Sequence, residues 1–397
     1  MLKERIKQLA KNKFEEVRGH RRHLHQYPEL SYQEKETSGY VAKQLDRLGI
    51  SYQANVGGYG VIGMIEGKLP GGRVIALRAD MDALPIEEAN EVPYRSKNPG
   101  VMHACGHDVH TASLLGAAAI LQEMRDQFAG TIKLIFQPAE EKLPGGASIL
   151  IEEGVLENPT PELIIGQHVH PPLEAGKVGF RGGMYMASAD EIYLTIHGKG
   201  GHGALPQECI DPIVIAAHVI TALQQLVSRR ANPTVPSVLT FGKIASDGGT
   251  TNVIPNAVSL MGTFRTMNEE WRREAHELME KMVHSLVEGM GGQADLNIVK
   301  GYPFLINDPD LTASAQSAAQ DFLGAEQVIE LPIRMTAEDF SYYSQKIPAC
   351  FYRLGTGNKA KGISSPVHTT TFDIDESSLE LSIGTMAWLA LQALKNE

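Results

Sequence analysis

Residues 60–174 narrow most sharply what this chain can fold into. Four β-rich runs occur there: VIGMIEG from Val61, RVIALRADMDALP from Arg73, TIKLIFQPAEE from Thr131 and ELIIGQHVHPP from Glu162. Between the second and third lies an apolar, Ala-rich helical stretch from His110, HTASLLGAAAILQEMRDQ. Strands alternating with a helix predict an α/β sheet with parallel strands, since a parallel pair needs a crossover connection. The chemically rich residues come just after strands, and sites in such sheets form at the carboxyl ends of the strands. Ahead of these runs, Ile6, Leu9, Phe14 and Val17 recur at helical spacing. Pro28 interrupts that helix, and a second runs to about Leu48.

From about residue 188 the pattern changes. DEIYLTIHGKG reads as a strand, IDPIVIAAHVITALQQLVSR as an amphipathic helix, and SVLTFGKIAS and AVSLMGTFRTM as two further strands. A long helix, NEEWRREAHELMEKMVHSLVEGM, and a last strand, ADLNIVKGY, complete the stretch. The order β-α-β-β-α-β is that of a split βαβ unit. Residues 303–397 return to an α/β pattern, so residues 188–302 read as an insertion into a domain made of residues 1–187 and 303–397. A chain of 397 residues agrees with two domains, because a single core seldom grows that large.

The net charge is −11, which argues against a nucleic-acid groove or an anionic membrane surface as partner. A few local cations still suffice for a small carboxylate. Charges recur through the N-terminal stretch MLKERIKQLAKNKFEEVRGHRRH, so it has no signal-peptide core. The longest small or apolar run, Ser113 to Leu121, is too short to span a bilayer. The three cysteines, Cys105, Cys209 and Cys350, are widely spaced and odd in number, which fits a reducing cytoplasm better than a disulfide framework.

Four clusters carry potential chemistry. In MHACGHDVHTA, Cys105 and His107 flank one glycine, with Asp108 and His110 beside them. A thiolate and an imidazole at this spacing can face one ion. An isolated Cys-x-His is more often a buried cysteine beside a structural histidine. In FQPAEEKLPGG, Glu140 and Glu141 follow an apolar strand. Adjacent carboxylates repel unless a cation sits nearby; one can bind a metal while the other acts as general base. A solvated acidic loop is the bland alternative. His168 and His170 follow another apolar strand in IIGQHVHPP, and His368 stands alone in the polar turn SSPVHTTTFDIDE.

The ordered series HACGHD, PAEE, GxH, GGHGALP, TNVIPN, TFR, AEDF and HTTTFDIDE resembles the metallopeptidase-related amidohydrolases. That family includes bacterial aminoacylases, hippurate hydrolases and plant auxin-conjugate (IAA-amino acid) hydrolases. The likeness runs from RRHLHQYPELS at 21–31 to FDIDE at 372–376. It implies a mixed-sheet α/β catalytic domain of zinc-exopeptidase type. It also implies an inserted ferredoxin-like lid or dimerisation domain, and with it a homodimer or higher homo-oligomer. Two divalent metal ions (Mn, Zn, Co or Ni) would be held by Cys105, His107, Glu141, His168 and His368. Glu140 matches the general base, and His202 matches a histidine that steadies the developing oxyanion. Asn252 and Arg265 match positions that hold the substrate carboxylate, while Asp80 and Asp108 stand where groups that orient ligands belong.

Three departures are visible. KLPGG follows the Glu pair where many relatives have a shorter link, Gln207 replaces a second lid histidine, and His170 sits where an aromatic residue is common. The activity implied is hydrolysis of the amide bond of an N-acyl amino acid by a metal-activated water, giving a carboxylic acid and a free amino acid. An exopeptidase on short peptides is the alternative enzyme. A non-catalytic binding protein of the same fold would be expected to have lost ligands or base, and all are present. A Cys105 nucleophile would leave the Glu pair and His368 without a purpose.

Overall fold

The computed structural model describes residues 1–395. Two compact units emerge. One comprises Met1–Met184, Ile306–Ile333 and the chain from Asp339 onward; the other comprises Tyr185–Leu305 and Arg334–Glu338.

The first unit is built on an eight-stranded mixed sheet. Its order is Ser51–Val56, Gly60–Glu66, Ala129–Gln137, Leu69–Asp80, Leu163–Glu174, Ala349–Gly357, Val178–Phe180 and Val328–Glu330. The central strands are parallel, as the alternating pattern predicts: Leu69–Asp80 pairs in parallel with both Ala129–Gln137 and Leu163–Glu174, and Leu163–Glu174 pairs likewise with Ala349–Gly357. The first two strands form an antiparallel hairpin that joins Ala129–Gln137 at the edge. The helix His107–Glu123 is buried on all sides from His107 to Leu121, which explains why its sequence is apolar all round and not striped. It packs against the helices Leu2–Gln26 and Ser378–Ala393, which also pack against each other. Leu114, Leu115, Ile120 and Leu121 are fully buried there, each contributing roughly 1.5–3 kcal/mol.

The second unit is a four-stranded antiparallel sheet in the order Ser237–Ser246, Ala257–Thr266, Asp190–His197, Gln293–Lys300. The helices Pro212–Gln225 and Glu269–Gly289 cover it, closing a core of Ile192, Leu194, Ile196, Val219, Leu260, Phe264, Met279 and Val283. Alternate burial along Asp190–His197 marks the single covered face. Each helix begins on a side-chain cap: Asp211 accepts from the backbone of Ile213 and Val214, and Asn268 from Trp271. Among the described residues no helix is long and apolar enough to cross a membrane.

Candidate metal centre

The strands of the first unit deliver their reactive residues where the central sheet ends. Asp80 closes the strand Leu69–Asp80, the Glu pair follows Gln137 at the end of its strand, and His168 lies within Leu163–Glu174. Gly106 precedes the helix His107–Glu123 with φ 83°, and a Cβ there would lie 2.6 Å from Val169 Cγ2. Only glycine can make this turn. It lets Cys105 and His107 present donors to one place.

The donor atoms of Cys105, His107 and His168 lie within 4.8 Å of one another, and so do those of Cys105, Glu141 and His368. The two triads share Cys105. Its Sγ is 3.4 Å from His168 Nε2 and 3.3 Å from His368 Nε2. Glu141 Oε1 is 3.2 Å from His368 Nε2 and 3.9 Å from His107 Nε2. Glu140 Oε2 is 4.0 Å from the same His107 nitrogen. His168 Nε2 is the imidazole nitrogen that completes the first triad beside Cys105.

The donor set fits a divalent cation. His107 Nε2 is buried and makes no hydrogen bond, a costly state unless a ligand satisfies it. The ring orientations agree. His107 donates Nδ1–H to Asp82 Oδ1 at 3.0 Å, and His168 donates Nδ1–H to the Val169 carbonyl at 2.7 Å, leaving each Nε2 lone pair for a metal. Thiol, imidazole and carboxylate together suit first-row divalent ions. Electrostatics point the same way. Burial, then Glu141, Glu140 and Asp80, push the Cys105 thiol well above its usual range. Burial opposes charge on His107, but Asp80, Asp82 and Glu141 outweigh it and raise the imidazole to about 10. The pocket has an excess of negative charge for a cation to balance.

The surrounding groups lock this arrangement. Asp80 accepts from Arg78 Nη1 at 2.6 Å and from His110 Nδ1 at 2.5 Å. His110 Nε2 accepts from the Val169 N–H at 2.8 Å, so both ring nitrogens are engaged in orienting neighbours. Asp108 accepts from Arg21 Nε and His25 Nδ1, both at 2.8 Å, and ties the start of its helix to the first helix of the chain. Three groups acquire roles that sequence reasoning did not assign. Asp82 accepts from His107, from the Glu141 N–H at 2.9 Å and from Ser31 Oγ at 2.7 Å. Asp339, in the AEDF motif, accepts from Arg78 Nη2 at 2.7 Å and from the Ala147 N–H at 2.9 Å, while its own N–H donates to Glu140 Oε1 at 3.4 Å. Arg78 bridges Asp80 and Asp339. Asp82 stands two residues after Asp80 at a strand end and Asp339 lies in the AEDF motif, but neither place says which backbone groups the carboxylate accepts; Arg78 carries no local signal.

The second unit holds the other three predicted residues. His202 lies on the short strand Gly201–His202, paired with Val253–Ile254, and the Gly203 N–H donates to the Asn252 carbonyl at 2.8 Å. His202 and Asn252 therefore share one exposed ribbon. His202 Nδ1 accepts from the Ala204 N–H at 3.0 Å, so Nε2 carries the proton and is a donor. Arg265 lies on the strand Ala257–Thr266, and its Nη1 donates to the Met335 carbonyl at 3.2 Å.

Comparison with known proteins places these features. The model of peptidase family M20/M25/M40 matches residues 76–392. An N-acyl-L-amino acid amidohydrolase of Geobacillus stearothermophilus is 44% identical over 77% of this chain and 82% of its own length. Thermostable carboxypeptidase 2 of Saccharolobus solfataricus is 40% identical, with 94% of each chain covered. The crystal structure of a dinuclear metal-binding peptidase of family M20 from Bacillus subtilis has a TM-score of 0.83 at 35% identity, covering 98% of this chain and 100% of that one. With matched motifs, a matched fold and a donor cluster suited to divalent ions, the chain belongs to peptidase family M20/M25/M40.

Proposed function

We propose that this protein is a two-metal amidohydrolase that cleaves N-acyl amino acids into a carboxylic acid and a free amino acid. The observation that carries the reading is the pair of donor triads sharing Cys105, with Glu140 beside them. Cys105, His107, Glu141, His168 and His368 would hold the ions. When bound, these supply Lewis acidity that polarises the amide carbonyl and acidifies water. Asp82 fixes the His107 ring through Nδ1 and the Glu141 backbone through its N–H. Glu140, steadied at Oε1 by the Asp339 N–H, takes the water proton and passes it to the leaving nitrogen. His202 serves as the oxyanion donor through Nε2–H, a role worth about 3 kcal/mol in other enzymes. Arg265 and Asn252 recognise the α-carboxylate, for which a guanidinium fork is well shaped.

Support for the substrate class comes from the amidohydrolase relative. The carboxypeptidase relative favours a second reading, an exopeptidase acting on short peptides. We further assign Mn, Zn, Co or Ni as the metal, a cytoplasmic setting consistent with three free cysteines, and a lid and dimerisation role for the second unit. The open edge strand Ser237–Ser246, with Val238 and Ile244 exposed, supports self-association.

Exhaustive chelation is expected to abolish hydrolysis, and added Mn, Co or Zn to restore it. Acetyl-, benzoyl-, indoleacetyl- and long-chain-acyl amino acids should be cleaved faster than dipeptides. Full activity in verified metal-free protein would refute the metal reading, and faster turnover of dipeptides would select the exopeptidase.

A further inference from the structure

The loop joining the first two helices contains Ser31, Tyr32 and Glu34, and the reaction described above gives it no part. All three side chains nevertheless hold the segment that carries the Glu pair. Glu34 is fully buried, and its Oε1 accepts from the Ala139 N–H at 2.7 Å. The Tyr32 hydroxyl donates to the Lys142 carbonyl at 3.0 Å and accepts from the Gly145 N–H at 3.2 Å. Ser31 donates to Asp82 at 2.7 Å, the same carboxylate that receives the Glu141 N–H.

Ala139 has φ 54°, in the left-handed region that residues with a Cβ avoid. It stands immediately before Glu140. Neighbouring side chains on extended backbone point to opposite faces. Here both Glu140 and Glu141 come to the same imidazole nitrogen, 4.0 and 3.9 Å from His107 Nε2. The turn at Ala139 leads into that arrangement. It is closed on one side by the Gly146 N–H, which donates to the Ala139 carbonyl at 2.8 Å. A Cβ at Gly146 would lie 1.7 Å from the Pro138 carbonyl, so the closure requires glycine. On the other side it is held by Glu34.

We propose that Glu34 is a positioning residue, which holds the left-handed turn at Ala139 and thereby aims the Glu140 carboxylate at its work. The inference rests on Glu140 acting as the base. Burial and the nearby Asp82 push Glu34 up to about 7, so a glutamine is a close copy of its neutral form. Glutamine keeps the acceptor oxygen; alanine removes it.

The test compares Glu34→Ala, Glu34→Gln, Tyr32→Phe and Glu140→Gln in metal-loaded protein, reading kcat, KM and metal content. Glu34→Ala should lower kcat roughly ten- to hundredfold, the scale of a misplacement of about 1 Å, with KM and metal content near the parent's. Glu34→Gln should recover most of that loss, and Tyr32→Phe should lose a few-fold. Parent-level kcat in Glu34→Ala, no rescue by Glu34→Gln, or loss of metal in step with kcat would overturn the proposal. If Glu34→Ala does not fold, Tyr32→Phe decides, and parent-level kcat there overturns it. Full activity in Glu140→Gln would mean that the base assignment has failed. An inactive Glu140→Gln beside a fully active Glu34→Ala would mean that the positioning role alone has failed.

Discussion

Glu140 and Glu141 are identical in chemistry and adjacent in sequence, so any difference in role comes from what holds them. The Glu141 N–H is held by Asp82 and its Oε1 lies in a donor triad, whereas Glu140 Oε1 takes the Asp339 N–H. Glu140→Gln is therefore expected to lower kcat by about 10²–10⁴ with metal content preserved, the usual worth of a general base. Glu141→Gln should instead lower metal occupancy. Metal analysis of both variants checks this, and the reverse pattern would exchange the two roles. Arg265→Ala should raise KM strongly for an acyl amino acid and much less for the matching amide, which has no carboxylate to lose; equal effects would make Arg265 a structural residue. At this scale the Cys-x-His and the Glu pair, taken singly, had bland readings and His368 stood alone in a polar turn; the candidate donors were legible through the ordered motifs that carry the family resemblance. Asp82, Asp339 and Glu34 were not. Each works by accepting backbone N–H groups from residues remote in sequence, and no local pattern of residue types marks that task.

The longer helices and strands were readable from periodicity. Strand order was less so. Val178–Phe180 and Val328–Glu330 are only three residues each and pair at the sheet edge, and the ribbon of Gly201–His202 with Val253–Ile254 is shorter still. Runs of that length hold no periodic signal; partners distant in sequence define them. One element junction makes a measurable claim. Asp190 opens the first strand of the second unit and is fully buried, accepting from Arg272 Nε at 2.9 Å, from His276 Nε2 at 2.7 Å and from the Gly301 N–H at 3.1 Å. Burial raises its pKa, but His276 and Arg272 outweigh this and hold it below the ordinary carboxylate value. A depressed folded pKa contributes stability that is complete above the unfolded value, about 3.9, and lost as pH falls through the folded one. Arg272→Met leaves that carboxylate buried without its main partner and should cost about 3–5 kcal/mol at pH 7. Denaturant unfolding of parent and variant should show the gap narrowing as pH falls below about 4. A gap that stays constant across this range would mean that Asp190 contributes no charge-dependent stability.

At the scale of the molecule, metal and fold are coupled. The candidate ligands Cys105, Glu141, His168 and His368 come from four separate stretches of the first unit, so ions that bind them stabilise that unit by mass action. The chelation experiment thus has a second readout: metal-free protein should melt at a lower temperature than reconstituted protein. In the sequence the pattern changes near residue 188, because a split βαβ order and a parallel α/β order differ in spacing; the second unit begins at Tyr185. The grouping of Arg334–Glu338 with the second unit was not legible there, since five residues carry no such spacing. The first unit is discontinuous in sequence, and this has a consequence for biosynthesis. Its strand Leu163–Glu174 waits for Ala349–Gly357, and its first helix, Leu2–Gln26, waits for Ser378–Ala393. A ribosome delivers the whole of Tyr185–Leu305 in between. The second unit can close its own core while the nascent first sheet still has an open parallel edge. That edge stays open until Ala349–Gly357 has been made, and open strand edges invite wrong pairing.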